Sequence, residues 1–99
     1  MAERIVRLRI TGLVQAVGFR VYVEGAARRL AARGWVRNRR DGSVEAVVAG
    51  APDVVGEFIA ACRAGPPGAQ VESVAVEEAD ETSLSHPALR PDFSVLPTV

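Results

Sequence analysis

The chain has 99 residues, 48% of them apolar and 24% charged, which fits one small globular domain over residues 1–99. No apolar run approaches the roughly 18 residues that cross a bilayer, and the first residues alternate with arginine instead of forming a signal-peptide core. We therefore expect a cytoplasmic protein without a membrane partner. Cys62 is the single cysteine and His86 the single histidine, which excludes an internal disulfide and the usual zinc sites.

Charge is unevenly distributed although the formal net charge is zero. Residues 1–40 carry ten arginines and two glutamates, a net +8, whereas residues 41–99 carry two arginines and ten acids, a net −8. The two halves can neutralise each other within one fold, or the arginines can form a basic pocket for an anion. We favour a mostly neutralised surface with a positive site near Arg20.

The first strand, loop and helix form the most informative stretch. Residues 4–13 alternate apolar and polar side chains, which predicts a strand with one buried face. Residues 21–33 have helical spacing, and Gly34 stands where a helix C′ glycine is expected. The loop at residues 14–20 thus leads into a helix N-terminus, where backbone N–H groups and the helix dipole favour an anion.

Arg20 is unusual at this position. A cation at a helix N-terminus is unfavourable by about 0.3–1 kcal/mol, and no acid lies within three residues of Arg20. Either its side chain swings into water, or it shares a bound anion with the loop N–H groups. A guanidinium suits phosphate because its fixed fork donates two parallel hydrogen bonds.

The remaining elements define the fold class. We predict strands at residues 35–40, 43–49, 70–77 and 93–96, a helix from Pro52 to the GPPG sequence at 65–68, and a polar loop at 80–92. Val71 breaks the alternation of its strand, which predicts either a bulge or an early start of the strand. The order β-α-β-β-α-β is that of an α+β, ferredoxin-like split βαβ fold: an antiparallel sheet with two helices on one face, here with a short extra C-terminal strand.

Asn38 is the second candidate site residue. It shares a strand face with Val36 and so occupies an inward slot, although Asn is a poor strand former. It is either a strand-end residue bonded to nearby backbone or an amide aimed into a site, where its acceptor and donor groups can orient a water. The topology puts Asn38 at the same sheet end as the loop, but spacing leaves the Arg20–Asn38 distance undetermined.

Several motifs together resemble the acylphosphatase family. They are GLVQAVGFR at residues 12–20, GWVRN at 34–38, DGSVE at 41–45, GPP at 65–67 and a terminal strand containing Phe93, and they span about residues 4–96 in the family's order. The resemblance implies a ferredoxin-like enzyme that hydrolyses the carboxyl–phosphate anhydride of a small-molecule acyl phosphate. The products are a carboxylate and inorganic phosphate, and neither a metal nor a cofactor is expected. We also expect a monomer.

The resemblance also implies roles for particular residues. The phosphoryl group is held by the loop N–H groups and the Arg20 side chain, and Asn38 orients the attacking water. The implied phosphate-binding residues are Gln15, Ala16, Val17, Gly18, Phe19 and Arg20. Ala16 stands where the family usually has Gly, so alanine either strains the loop by about 1 kcal/mol or more, if positive φ is needed, or merely crowds the phosphate.

Three alternatives remain open at the level of sequence. RNA-recognition domains share this fold but stack bases on aromatic residues of the central strands, which this chain lacks at the outward positions of its first and third strands. We therefore expect no nucleic-acid partner. Acylphosphatase-like domains also occur at the start of large hydrogenase-maturation carbamoyltransferases, but the absence of zinc-finger cysteine pairs favours a stand-alone enzyme. A catalytic Cys62–His86 pair is disfavoured because Cys62 lies on the apolar stripe of its predicted helix.

Overall fold

The computed structural model describes residues 3–85 and 92–99, which form one five-stranded sheet and three helices. In chain order the elements are β1 (Arg4–Leu13), α1 (Phe19–Arg29), β2 (Arg33–Asn38), β3 (Val44–Gly50), α2 (Pro52–Ala64), β4 (Gln70–Glu78), α3 (Glu81–Leu84) and β5 (Phe93–Val95). The strand order is β4-β1-β3-β2-β5. The first four strands pair antiparallel, and β5 runs parallel to β2. The predicted fold class is confirmed.

The face of the sheet covered by α1 and α2 carries the main core. Val23 of α1 and Val55 and Phe58 of α2 pack against alternate, fully buried side chains of the two central strands. Those strand residues are Val6, Leu8, Ile10, Val44, Ala46 and Val48. Burying one such side chain contributes about 1.5–3 kcal/mol, so this layer holds the register of β1 and the position of the loop that follows it.

Cys62 belongs to the same core. It is 1% exposed, which confirms its interpretation as a small core residue, and burial raises the pKa of its thiol to about 12. A thiol with that pKa supplies almost no thiolate at neutral pH and is a poor nucleophile. His86, its partner in the alternative catalytic pair, lies outside the described residues.

α1 differs from its predicted bounds at both ends. It begins at Phe19 instead of residue 21, because Gly18 adopts the left-handed conformation (φ 77°, ψ 20°) and acts as the N-cap. It ends at Arg29 instead of residue 33, because the chain turns at Ala31, which has a φ of 55°. Ala31 therefore adopts the left-handed conformation that glycine usually adopts after the end of a helix.

Gly34 has a different role from the predicted one. It lies within β2, not after α1, and has a φ of 143°. A Cβ built at Gly34 would stand 1.9 Å from the carbonyl oxygen of Val47 on β3. The close approach of two strands, and not a helix end, therefore requires glycine at this position.

The later strands deviate only slightly from prediction. β2 begins and ends two residues earlier than predicted, and β3 begins and ends one residue later. The turn between them is longer than predicted because it closes through a 2.9 Å hydrogen bond from Arg39 N to Ser43 O. The irregularity predicted near Val71 is confirmed. The β1–β4 register shifts between Thr11 and Gly12, which leaves Glu72 as the extra residue of a bulge.

The predicted loop at 80–92 contains a short helix, α3, so that part of the prediction is wrong. The Asp80 carboxylate accepts a hydrogen bond from Thr82 N (3.0 Å) and caps this helix. Leu84 then packs against Trp35 and Val47 on the sheet face opposite α1 and α2. Residues 86–91 lie outside the described residues. Within the described part of the chain, every helix is too short or too polar to cross a membrane.

Candidate active site

The loop between β1 and α1 turns sharply through two left-handed residues. Ala16 has a φ of 60° and Gly18 a φ of 77°. The left-handed conformation costs an L-residue about 1–2 kcal/mol, whereas glycine adopts it freely. The structure thus confirms positive φ, and with it backbone strain, at Ala16. Backbone strain held in place by the surrounding fold is typical of functional loops.

This loop and the end of β2 enclose a small pocket of about 90 Å³. Its lining residues are Val14, Ala16, Gly18, Phe19, Arg20, Val21 and Asn38. The pocket brings Arg20 and Asn38 together, which sequence spacing alone left undetermined. Phe19 is 2% exposed and anchors the start of α1 in the core, so its backbone presents the next residue, Arg20, at the pocket.

Asn38 contributes the most informative atom of the pocket. Its side-chain oxygen Oδ1 is buried, and no group of the described residues donates a hydrogen bond to it. Leaving a buried acceptor unsatisfied costs about 1–3 kcal/mol, so proteins rarely retain one without a use for it. The alternative of an Asn bonded through this oxygen to nearby backbone does not describe the structure. The oxygen is free to accept a hydrogen bond from a bound molecule.

Positive charge at the pocket is not compensated within the described part of the chain. Arg20 is partly buried and forms no ion pair with any carboxylate of residues 3–85 or 92–99. The first turn of α1 also contains no acidic residue. Because the helix N-terminus itself carries partial positive charge, the pocket is suited to an anion.

Gln15 has a structural role that the sequence prediction missed. Its Nε2 donates hydrogen bonds to Arg39 O (2.7 Å) and Ser43 O (2.9 Å), so the side chain fastens the loop to the β2–β3 hairpin. Asn38 immediately precedes this bonded segment. A lone amide in a mostly apolar loop was the available signal, but its partners are distant in sequence. The Gln15 side chain does not line the pocket.

The hairpin that carries Asn38 is also held by its own turn. The Asp41 carboxylate accepts hydrogen bonds from Ser43 Oγ (2.6 Å) and Ser43 N (2.9 Å). These bonds, with a smaller contribution from Arg9, lower the pKa of Asp41 to about 2. Gly42, with a φ of 94°, completes the predicted Asp-Gly turn.

Comparison with known proteins decides the family. The model of the acylphosphatase family matches residues 6–93. An acylphosphatase of Bradyrhizobium diazoefficiens is 50% identical over 99 residues, which is the full length of both chains. The chain belongs to the acylphosphatase family. It is accordingly an enzyme, an acid anhydride hydrolase.

Solved acylphosphatase structures share the architecture. An acylphosphatase from Coxiella burnetii superimposes with a TM-score of 0.83 at 33% identity, covering 95% of this chain and 93% of the other. One from Bacillus subtilis gives 0.82 at 32% identity, covering 96% and 99%. The acylphosphatase fold therefore holds over nearly the whole chain.

The predicted site residues divide into two groups within this acylphosphatase fold. Ala16, Gly18, Phe19 and Arg20 line the pocket together with Asn38. Gln15 and Val17 do not, since Gln15 binds the hairpin and Val17 packs partly buried against the core. Their proposed contribution was through backbone N–H groups, and this stays a prediction. Among residues 3–85 and 92–99, no three His, Cys, Asp or Glu side chains are grouped as metal ligands would be.

Proposed function

We propose that this protein hydrolyses acyl phosphates to a carboxylate and inorganic phosphate, with Arg20 and the loop binding the phosphoryl group and Asn38 orienting water. One observation carries the proposal: the buried Oδ1 of Asn38 and the guanidinium of Arg20 lie at the same pocket, the first without a hydrogen-bond donor and the second without a carboxylate among residues 3–85 and 92–99. One group suits an anion and the other suits a neutral hydrogen-bond donor such as water.

Arg20 and the backbone N–H groups of residues 15–20 stabilise negative charge on the phosphoryl oxygens. Phosphoryl transfer needs little covalent participation from the protein, so positioning and charge stabilisation supply most of the rate enhancement. A guanidinium fork can bind two of these oxygens at once. In this proposal these groups supply the positive charge that a metal ion supplies in other phosphoryl-transfer enzymes, and the reaction proceeds without a metal.

Asn38 holds the attacking water. Its Oδ1 accepts a hydrogen bond from the water and directs a lone pair of the water oxygen at phosphorus. As the new O–P bond forms, the bond between phosphorus and the acyl oxygen breaks, and its electron pair leaves with the carboxylate. The water proton passes to a phosphoryl oxygen. A carboxylate of low pKa is a good leaving group, so the site needs no general acid.

The acyl portion of the substrate contacts Val21. This side chain lines the pocket and is 70% exposed, so it offers an apolar surface beside Arg20. We also propose that the protein acts as a monomer. We place the protein in the cytoplasm and expect neither a membrane nor a nucleic acid as its partner.

The test is hydrolysis of benzoyl phosphate, with a chelator present, by wild type, Asn38→Ala, Arg20→Ala and Arg29→Ala. Asn38→Ala should lose about 10²–10³ in kcat yet retain inhibition by inorganic phosphate, whereas Arg20→Ala should lose both. Arg29 lies exposed in the last turn of the same helix, so Arg29→Ala is the matched control and should retain both properties. Turnover by Asn38→Ala equal to wild type would remove Asn38 from the mechanism. A folded wild type without turnover would favour the alternative of an acylphosphatase-like domain with an accessory, non-catalytic role.

A further inference from the structure

A second arginine-lined cavity lies on the sheet face opposite α1 and α2. It has a volume of about 360 Å³, within the range of small-molecule sites. Its lining residues are Arg7, Arg9, Arg39, Glu45, Ala75, Val76 and Glu77. The lining residues come from β1, β3, β4 and the position that follows β2, so a rigid sheet holds them.

The cavity has more guanidinium groups than carboxylates to pair with them. Glu45 is buried and shared by three arginines: its Oε1 accepts from Arg37 Nε and Arg39 Nη1, both at 2.8 Å, and its Oε2 lies 3.3 Å from Arg7 Nε. Burial alone would raise the pKa of Glu45, but the hydrogen bonds from Arg37 and Arg39 outweigh it and lower the pKa. One ionised carboxylate is therefore the shared ion-pair partner of three arginines.

The other acids near the cavity do not complete the pairing. Glu77 is 69% exposed and approaches Arg7 only to 3.8 Å. Asp41 pairs with Arg9, but its second oxygen accepts the turn hydrogen bonds from Ser43. Exposed or distant ion pairs contribute little to stability compared with a buried ion pair. Among the residues that the structure describes, too few acceptors are present to use all N–H donors of the lining arginines.

Arg7 provides a second, independent observation. Its Nε is buried and has no hydrogen-bond partner among the described residues, because the nearby Glu45 oxygen lies off the N–H direction. A buried charged donor without a hydrogen bond is costly, and an additional acceptor in the cavity would satisfy it.

We propose that this cavity is a second anion site, which binds a small molecule carrying two or more phosphate or carboxylate groups. Arg7, Arg9 and Arg39 donate to the anionic groups, as guanidinium forks do to oxyanions elsewhere. Ala75, which pairs with Arg9 across the β1–β4 ladder, provides an apolar wall for the part of the ligand that joins its anionic groups. A ligand with several anionic groups fits best because three guanidinium groups line the cavity, and each can donate to a separate anionic group.

The site is separate from the active-site pocket, since the two lie on opposite faces of the sheet. Asn38 shares its strand face with Val36, which lies in the core beneath the helices, whereas Arg37 and Arg39 reach Glu45 on the other face. The proposal consequently does not depend on the acyl phosphate reaction.

The test is to measure Kd by isothermal titration calorimetry, first with inorganic tripolyphosphate and separately with citrate. It is performed on the Arg20→Ala variant, in which the active-site pocket no longer competes for anions. We expect one binding site, and a Kd increase of about 10-fold or more when Arg7→Gln or Arg9→Gln is added, the effect of losing a charge-assisted hydrogen bond. Arg63→Gln removes the same charge from the exposed end of α2 and should change Kd less than about 2-fold, as expected for a distant screened charge.

The two ligands distinguish the chemical classes. Binding of tripolyphosphate alone would identify a phosphorylated ligand, binding of citrate alone a polycarboxylate, and each supports the site. We expect the Arg7→Gln variant to fold, because Glu45 keeps its hydrogen bonds from Arg37 and Arg39. Arg9 is more exposed than Arg7, so Arg9→Gln serves as a second variant. Absence of binding by both ligands, or an equal loss in Arg63→Gln, would overturn the proposal.

Discussion

Replacing Ala16 with glycine tests whether the loop is strained. Ala16 holds a φ of 60° and is exposed, so the substitution removes few packing contacts. Relief of the left-handed conformation is worth about 1–2 kcal/mol, and the added freedom of glycine in the unfolded chain costs about 0.4–1 kcal/mol. The net gain is roughly 0.5–1 kcal/mol in the free energy of unfolding. For a domain of this size it corresponds to an increase in Tm of roughly 2–8 °C.

Ala31 supplies a matched control within the same chain. It is also an exposed alanine, its φ is 55°, and it lies at the end of α1, away from the pocket. Ala31→Gly should therefore raise Tm by a similar amount in thermal unfolding followed by circular dichroism. Only Ala16 lines the pocket, so only Ala16→Gly should strengthen inhibition by inorganic phosphate, because the loop backbone can then approach the anion more closely.

Two results would refute this reasoning. A lower Tm for Ala16→Gly beside a higher Tm for Ala31→Gly would mean that the loop does not hold Ala16 at positive φ. Identical phosphate inhibition in wild type and Ala16→Gly would mean that the methyl group does not limit the approach of the anion.

Three further predictions concern the supports of the site. Gln15→Ala should lower kcat about 10-fold or more and cost about 1–3 kcal/mol of stability, because the two hydrogen bonds that tie the loop to the hairpin are lost while each carbonyl keeps its backbone donor. Gln70→Ala on the exposed edge strand should change stability by less than about 0.5 kcal/mol, and equal effects of the two variants on activity and urea unfolding would contradict this role of Gln15. Gly34→Ala should abolish folding, as judged by far-UV circular dichroism, because its Cβ would collide with Val47 O; a native-like variant would show that the strands can separate there. Asp41 has its pKa lowered from 3.8 to about 2, so it stabilises the fold above pH 3.8 and loses that contribution as the pH falls through 2; Asp41→Asn should make the unfolding free energy less dependent on pH in this window, and an unchanged pH profile would contradict the shift.

The fold was predictable because most of its signals are local. Alternation in β1, the Asp-Gly turn and the Gly-Pro-Pro-Gly end of α2 each depend on neighbouring residues only. The end of α1 was not predictable, because the rule that assigns glycine to helix ends favoured Gly34 over Ala31. The requirement at Gly34 comes from β3, which is distant in sequence. α3 was missed for a similar reason, since four residues carry almost no helical periodicity and Leu84 is held by packing on Trp35.

The residues of the candidate site could be singled out from the sequence, but their arrangement in space could not. Arg20 stood out because a cation is unfavourable at a helix N-terminus, and Asn38 because an amide is unfavourable in an inward strand position. Their meeting at one pocket depends on the pairing of β3 with both β1 and β2, which brings the end of β2 near the loop and which no local pattern encodes. The hydrogen bonds of Gln15 to the hairpin also join segments that only the tertiary structure brings together.

The most direct test of the account is the fate of oxygen-18 when benzoyl phosphate is hydrolysed in labelled water. If Asn38 directs water at phosphorus, the enzyme-catalysed reaction should deliver the label to inorganic phosphate and leave benzoate unlabelled, and the labelled phosphate should fall with kcat in Asn38→Ala. Label in benzoate would mean that water attacks the carbonyl carbon, and it would contradict the central claim that this pocket activates the phosphoryl group.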